Sequence, residues 1–304
     1  MTKDDGNGGG AGVLDGSPRT YRHSLARPSV YRVGFSLAKW VPRPVLYVIA
    51  DFLADVTHRA GAEPVRNLRA NLRSAFPHFP EREIEDILKR TFRNFARYLV
   101  DYGRFHTLTE EVLDRVLPTV EGLHPVEESL RKGRGVILVT GHIGNWELGG
   151  VFFGRNGVKI NVVTLPEGSD RIDAIRGKYR KHHNIRTIVL DGSPFSSLEI
   201  VAALRRGEMV AMLVDRWGGG DGVSAKFFGV DRLFPRGPFI LSRATGAPVV
   251  PAFVVRDGNT YRGVVDPPFV VEGVDDEPYA RRVSEALERM IRNFPDQWYN
   301  FAAY

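Results

Sequence analysis

Hydrophobic residues in the first third of the chain recur at helical spacing. After Pro44 the apolar side chains fall on one helix face: Val45, Leu46, Ile49, Phe52, Leu53 and Val56. A second stretch, from Pro80 to Phe105, keeps the same period and begins with acidic residues, which favour a helix N-terminus. The nine basic residues between Arg66 and Arg104 are expected mostly on the solvated face of this second helix.

From residue 134 onward, short apolar runs alternate with helical patterns. The run Gly135–Val139 is apolar throughout, which is typical of a strand buried on both faces. Further strands are predicted at Ile160–Thr164, Arg186–Leu190, Met209–Val214 and Val249–Val255. Helices are predicted at Asn145–Phe153, Asp170–His183, Ser196–Arg206, Phe239–Thr245 and Pro278–Asn293. This alternation predicts an α/β sheet with helices on its faces.

The start of the chain differs in composition from the rest. Residues 1–20 are rich in Gly, Asp and Ser, and such a segment buries too little apolar area to become ordered. We therefore expect a disordered tail over 1–25 and a single domain over 26–304. No signal peptide is recognisable, because the start lacks a basic region followed by an apolar run.

Residues 29–60 form the segment that most resembles a membrane helix. Charged residues and two prolines interrupt it, so it lacks the ~20 apolar residues that a spanning helix needs. Two interpretations remain: a helix packed on the core, or a helix lying in a membrane interface with Trp40 and Tyr47 near the headgroups. Periodicity alone favours packing on the core.

The composition excludes several kinds of site and indicates a kind of partner. The 304 residues include no cysteine, which excludes disulfides, thiolate metal sites and a cysteine nucleophile. The net charge of +6 suits an acidic partner, whether nucleic acid, membrane or carrier protein. Six basic residues and one acid lie between Arg171 and Arg186. This run is either a solvated helix face or a patch for anionic groups, with Arg171 and Arg176 as candidate substrate contacts.

The most informative stretch starts where the first predicted core strand ends. His142 follows that strand and is flanked by Gly141 and Gly144, which permit a tight turn and the close approach of another molecule. Ligands of open α/β sheets bind at the carboxyl ends of strands. Glu147 follows in the first turn of the next predicted helix, and a turn at Gly144 could bring its carboxylate to the imidazole. A carboxylate orients imidazole and stabilises its cation, so the pair can serve as a general base.

A structural interpretation of the same residues remains open. His142 could cap the strand-to-helix turn, with Glu147 an ordinary first-turn acid. Zinc binding is disfavoured because no second histidine follows at zincin spacing. A serine nucleophile is disfavoured because the chain lacks a Gly-x-Ser-x-Gly elbow. His182 and His183 are adjacent, so on a helix they point about 100° apart, which makes a joint metal site improbable.

A second candidate loop begins at Asp215 and Arg216, again directly after a predicted strand. Three glycines follow at 218–220 without the Walker lysine or a dinucleotide fingerprint. A substrate-positioning loop and a plain surface connection are equally compatible with this pattern. Phe227 and Phe228, further along, are expected in the core.

Together these motifs resemble the bacterial lipid A biosynthesis acyltransferase family, within the wider lysophospholipid acyltransferase group. The resemblance covers roughly Ser29 to Phe301. It is carried by the segments Arg66–Leu72 with Ala75-Phe76-Pro77, Gly141–Glu147, Asp215-Arg216 leading to Phe227-Phe228-Gly229, and Pro248–Pro251. The resemblance implies an α/β fold with a central mixed sheet flanked by helices and a helical N-terminal segment.

The resemblance also implies a function. His142 would be the base and Glu147 its partner in moving an acyl chain from acyl carrier protein or acyl-CoA to a hydroxyl of an anionic membrane glycolipid. Neither metal nor cofactor is expected. Backbone N–H groups near Gly144 or Asn145 are candidates to bind the oxyanion, and Asp215 and Arg216 to contact substrate. Similar proteins work at the cytoplasmic face of the inner membrane, so an interfacial role of residues 29–57 becomes the preferred interpretation.

Two departures bear on the acceptor. Leu165-Pro166 stands where lipid A enzymes commonly have arginine before the proline, and the ending Asp296–Phe301 lacks the usual arginines. A phosphatidylinositol mannoside, or another glycolipid, is the alternative acceptor.

A function of another class also remains open, that of a non-catalytic lipid-binding protein. Nucleic-acid binding is not expected, because the basic residues lack interleaved aromatic ones.

Overall fold

The computed structural model describes residues 40–166, 177 and 180–302. Its helices are α1 Arg43–Arg59, α2 Glu63–Ala75, α3 Glu81–Gly103, α4 Glu110–Val116, α5 His124–Arg131, α6 Trp146–Arg155, α7 Pro194–Arg205, α8 Gly237–Thr245 and α9 Glu277–Asn293. Its strands are β1 Thr119–Glu121, β2 Val136–Thr140, β3 Ile160–Thr164, β4 Ile185–Val189, β5 Met209–Leu213, β6 Gly222–Phe227, β7 Val230–Pro235, β8 Val249–Asp257 and β9 Thr260–Val265. Short 3₁₀ turns lie at Phe105–Thr107 and Pro295–Gln297.

A seven-stranded mixed sheet forms the centre, in the order β1-β9-β8-β2-β5-β3-β4. All neighbours are parallel except β8 and β9, which form an antiparallel hairpin. The central strand β2 is apolar because both of its faces are covered: Val136, Ile137 and Val139 are at most 1% exposed. The expected α/β fold with a mixed central sheet and a helical N-terminal segment is confirmed.

The five predicted core strands are present with ends that differ from the prediction by at most two residues, and the helices from Pro80 and Pro278 are present as α3 and α9. Most of the predicted helix Asp170–His183, like the expected tail over 1–25, lies outside the described residues. The sequence analysis missed the hairpin of β6 and β7, which forms a separate two-stranded sheet packed on α9. Its core-facing residues include Phe227, which is buried as expected.

Helix α1 carries its apolar stripe on the outside. Of the six stripe residues only Leu46 is buried; Phe52 is 67% exposed and the other four are between 49% and 56% exposed. Val48 on the same side is 71% exposed and Trp40, just before the helix, 87%. The interpretation of this stripe as a face packed on the core is therefore wrong. Among the described residues, no helix is both long and apolar enough to cross a membrane.

The polar side of α1 faces the protein instead. Asp51 accepts a bidentate hydrogen bond from Arg97, and Asp55 accepts one from Arg93, both on α3. These acids lie four residues apart on α1 and the arginines four apart on α3, so the pairs repeat once per helical turn. Basic residues of α3 that were expected in solvent thus attach α1 to the domain.

A buried carboxylate, Asp101, closes this row of pairs. It accepts two hydrogen bonds of 2.8 Å from Arg43 and one each from the hydroxyls of Tyr47 and Tyr261. Burial and the nearby Asp101 charge raise the pKa of Tyr47 and of Tyr261 above the ordinary value, so both hydroxyls stay protonated donors. Tyr47 therefore points into the protein, and its expected place near lipid headgroups is wrong.

We expect Asp101→Asn to lower the free energy of unfolding by about 3 kcal/mol, because Arg43 would lose a largely buried counter-charge. Urea titration followed by circular dichroism measures this loss. Asp231→Asn is the matched control, since its ion pair with Lys226 is solvent-exposed and such pairs contribute under ~1 kcal/mol. Equal stability of the two variants would contradict the anchoring role of Asp101.

Candidate active site

The register of two neighbouring strands brings His142 and Asp215 together. Strands β2 and β5 are parallel, with Thr140 opposite Leu213, and each candidate side chain follows two residues after its strand. The Val214 N–H donates to the Thr140 carbonyl, which keeps the chains paired beyond the strand ends. The site therefore lies at the carboxyl edge of the sheet, where ligands of open α/β folds bind.

The two side chains form a hydrogen-bonded dyad. His142 Nδ1 lies 2.8 Å from Asp215 Oδ1. Asp215 is 1% exposed, whereas the His142 side chain is 22% exposed. Burial acts to raise the pKa of Asp215, but the adjacent His142 and, to a lesser extent, Arg216 lower that pKa to about 2. An ionised carboxylate can only accept a hydrogen bond, so Nδ1 carries the proton and Nε2 is the basic nitrogen.

The glycines of the loop are required by contacts within the chain. Gly144 has φ +60°, and a Cβ there would lie 2.1 Å from the Val254 carbonyl oxygen on β8. A Cβ on Gly141 would meet Leu287 at 2.8 Å and the Asp215 side chain at 3.2 Å. The close approach expected from these glycines is thus made by β8 and by Asp215 itself.

The backbone N–H groups of Gly144 and Asn145 are both hydrogen-bonded within the protein. The Gly144 N–H donates to the Gln297 carbonyl at 2.9 Å, and the Asn145 N–H to the Val254 carbonyl at 2.7 Å. The Asn145 side chain is buried and caps α6 by accepting from the Leu148 N–H. In this conformation neither amide is available to an oxyanion, contrary to expectation. Substrate contact by other atoms of the two residues stays a prediction.

The carboxylate expected at the imidazole, that of Glu147, has a different partner. Glu147 is buried in the first turn of α6. Its two carboxylate oxygens accept hydrogen bonds from Arg180 at 2.5 and 3.2 Å. The carboxylate at His142 Nδ1 is that of Asp215. Glu147 was expected as the partner of His142 because it is close in sequence. The pairing of β2 with β5 instead brings Asp215, 73 positions from His142, to the imidazole, and this pairing cannot be read from the sequence. A catalytic role of Glu147 itself stays a prediction.

Arg180 and Arg216 are also held by the protein. Arg180, expected in solvent or on a ligand, is buried against Glu147 and reaches Thr187. Arg216 donates to the Tyr299 carbonyl at 2.6 Å and to Asn300 Oδ1 at 2.9 Å. It thereby joins the Asp215 loop to the end of the chain; contact with substrate stays a prediction. Arg171 and Arg176 lie outside the described residues.

The segment Gln297–Ala302 binds the loops of both His142 and Asp215, and the sequence analysis missed this role. The Tyr299 N–H donates to the His142 carbonyl at 2.7 Å, and Trp298 Nε1 donates to Asp215 Oδ2 at 3.3 Å. On the far side, Asn71 of α2 donates to the carbonyls of Asn300 and Ala302 at 2.8 Å. A signal for it in the sequence was the run of aromatic residues in Trp298–Phe301, shortly after the amphipathic helix α9.

Aromatic rings connect the site to α3. Trp146 lies edge-on to His142 with ring centroids 5.3 Å apart and stacks on Tyr98 of α3 at 4.7 Å. Since another face of α3 binds α1 through the ion pairs described above, a single helix links the His142 loop to the helix that carries the exposed apolar stripe.

The donor set around the imidazole does not suit a metal ion. His142 is engaged with a carboxylate through Nδ1, and in the described part of the chain no group of three or more His, Asp or Glu side chains is arranged to hold a cation. The arrangement fits proton transfer: a basic nitrogen in a partly open position, backed by an ionised, buried acid.

Comparison with known proteins finds relatives that are acyltransferases. The chain is 23% identical over 270 residues to the phosphatidylinositol mannoside acyltransferase of Mycolicibacterium smegmatis, covering 88% of each protein. It is 27% identical over 265 residues to the lipid A biosynthesis palmitoleoyltransferase of Escherichia coli K12, covering 85% of each. The phosphatidylinositol mannoside acyltransferase of Mycobacterium tuberculosis H37Rv is 23% identical over 287 residues, 93% of this chain and 90% of that protein.

The family model described as bacterial lipid A biosynthesis acyltransferase matches residues 21–302, nearly the whole length. This match shows that the chain, with its mixed α/β sheet and a His–Asp pair at the carboxyl edge of that sheet, belongs to the bacterial lipid A biosynthesis acyltransferase family.

Proposed function

We propose that this protein transfers a fatty acyl chain from a thioester donor, acyl carrier protein or acyl-CoA, to a hydroxyl of a membrane glycolipid. The observation that carries the proposal is the 2.8 Å contact between His142 Nδ1 and buried Asp215, because it makes Nε2 the basic nitrogen of a partly exposed ring. Family membership supplies the reaction type.

In the proposed mechanism Nε2 of His142 removes the proton of the acceptor hydroxyl as its oxygen attacks the thioester carbonyl. The Asp215 carboxylate stabilises the imidazolium that forms. When the tetrahedral intermediate collapses, the carbon–sulfur bond breaks, and the imidazolium returns its proton to the departing thiolate. An ester and a free thiol result, and no covalent acyl-enzyme is needed.

Glu147 and Arg180 support the site from behind in this proposal. Both are buried and neutralise one another, and removing one partner of such a pair leaves an uncompensated charge. Because Glu147 lies on the helix that starts directly after the His142 loop, the pair fixes α6 and thereby the loop. Its effect on the reaction is one of positioning.

The relatives leave two acceptor classes, a lipid A precursor and a phosphatidylinositol mannoside. Both are anionic glycolipids with a sugar hydroxyl. We therefore propose that the acceptor is a lipid of this kind. The basic character of the chain, +6 overall, favours such an anionic substrate.

Access to a lipid acceptor follows from α1 in this proposal. Its exposed apolar residues are the stripe without the buried Leu46 but with Val48: Val45, Val48, Ile49, Phe52, Leu53 and Val56. This membrane-facing stripe would lie in the headgroup region of the inner membrane at its cytoplasmic face. A helix that turns its acids toward the domain and its apolar side outward is suited to an interface. Patches of this kind mark interaction sites rather than ordinary surface.

We expect His142→Ala to lose acyl transfer by ~10²–10⁴-fold, the usual contribution of general-base catalysis, while its unfolding curve stays close to that of the wild type. The assay follows radiolabelled acyl chain from acyl carrier protein or CoA to lipid A precursor and, separately, to phosphatidylinositol mannoside. His78→Ala, an exposed histidine, is the control. Wild-type turnover by His142→Ala would refute the mechanism, and a wild-type protein inactive on all acceptors would favour a non-catalytic lipid binder.

We expect Asp215→Asn to lower kcat by ~10²–10⁴-fold, because an amide neither fixes the Nδ1–H tautomer nor stabilises the imidazolium. Steady-state kinetics measure this. Asp221→Asn, in the same loop but exposed, is the matched control. If Glu147→Gln reduced kcat as strongly while Asp215→Asn remained active, Glu147 and not Asp215 would be the partner of the base.

Vesicle flotation tests the membrane-facing stripe. We expect the double variant Val48→Asp, Phe52→Asp to lose most co-flotation with anionic phospholipid vesicles, because each charge would have to enter the interface. Val274→Asp, at an equally exposed apolar position outside the stripe, should float like the wild type. Unchanged flotation of the double variant would exclude α1 as the contact.

A further inference from the structure

The second oxygen of Asp215 and the residues behind it point to a positioning residue distant in sequence from the catalytic loops. Asp215 is 1% exposed, so both carboxylate oxygens need donors from within the protein. Oδ1 faces His142 Nδ1, and Oδ2 accepts from Trp298 Nε1 at 3.3 Å. The indole therefore contacts the acid on the side opposite the imidazole.

Trp298 is rigidly held. Its ring is 1% exposed, lies edge-on to Phe227 with centroids 6.0 Å apart and stacks on Phe228 at 6.4 Å. Phe228 has φ +50°, an unfavourable conformation for a bulky residue that persists only where surrounding contacts enforce it. Glu288 supplies such a contact by accepting from the Phe228 N–H at 2.6 Å.

The backbone around Trp298 is fixed on both sides. The Gly144 N–H donates to the Gln297 carbonyl, and the Tyr299 N–H to the His142 carbonyl, so the residues flanking Trp298 bond directly to the loop that carries the base. Asn71 on α2 then binds the carbonyls of Asn300 and Ala302. One short segment thus touches His142 through its backbone and Asp215 through the indole.

We propose that Trp298 is a positioning residue of the dyad: its indole N–H sets the rotation of the Asp215 carboxylate and shares the charge of that carboxylate with His142. This inference rests on the proposed function only for its effect on rate. A hydrogen bond to one carboxylate oxygen restricts rotation about the Cβ–Cγ bond and draws negative charge away from the other oxygen. Without it, the Oδ2 atom of Asp215 loses the indole N–H as a donor.

The test is Trp298→Phe, which keeps an aromatic ring in the pocket and removes the N–H donor. We expect kcat to fall about tenfold with KM unchanged, the effect of losing one hydrogen bond to a charged group. The acid limb of the kcat/KM profile should move to higher pH, because more negative charge on Oδ1 favours the imidazolium. Phe227→Leu, which alters the packing on the same ring without removing a hydrogen bond, is the matched control and should not move the pH profile.

A second measurement does not depend on acyl transfer. The Nδ1 proton of a histidine bonded to a carboxylate gives a far-downfield proton NMR resonance, which Asp215→Asn should abolish and Trp298→Phe should shift. If that resonance and the pH profile are the same in Trp298→Phe and the wild type, the positioning role is refuted even if activity is lower. If His142→Ala is fully active, the proposed function fails, whereas a shifted resonance would still support the contact between Trp298 and the dyad.

Discussion

A carboxylate taken out of water must be compensated where it lies, and the site is built around this constraint at Asp215. Its charge is balanced by the imidazole on one oxygen, the indole on the other and the nearby guanidinium of Arg216. Each partner comes from a different part of the chain, so satisfying one buried acid forces three distant segments to meet. The same acid then fixes the tautomer of His142, which joins folding and chemistry in a single contact.

Asp101 is a second buried carboxylate with several donors, but its partners serve a different purpose. Asp101 accepts hydrogen bonds from an arginine and two tyrosines. None of these is an exposed base, so the cluster attaches helix α1 to the domain and has no group for proton transfer. Helix α3 lies between the two clusters. Its charged side binds α1 and its aromatic side contacts Trp146, so a single helix sets the orientation of the apolar stripe relative to the His142 loop.

The sequence was sufficient for the architecture wherever the signal was local. Apolar runs such as Val136–Val139 and the periodic helix α3 were recognisable because burial acts on neighbouring positions. The sequence also located the loops of His142 and Asp215, since each follows a strand. It failed where the answer depends on which strands are neighbours: Glu147 was preferred to Asp215 because it is near in sequence, whereas β2 and β5 are adjacent in the sheet.

The direction of α1 was open for the same reason. Periodicity shows that a helix has an apolar side but not which side meets the domain, and only the arginines of α3 decide it. Likewise the amide groups of Gly144 and Asn145 looked available until their acceptors on β8 and in the Gln297–Ala302 segment were known. Hydrogen-bond partners far along the chain leave no periodic trace.

The attachment of both loops to Gln297–Ala302 has a consequence for synthesis of the protein. His142 and Asp215 leave the ribosome before the residues that hold their loops, so the dyad geometry can form only once this last segment has been made. A premature stop codon a few residues upstream of Trp298 would remove these hydrogen bonds while sparing both side chains of the dyad.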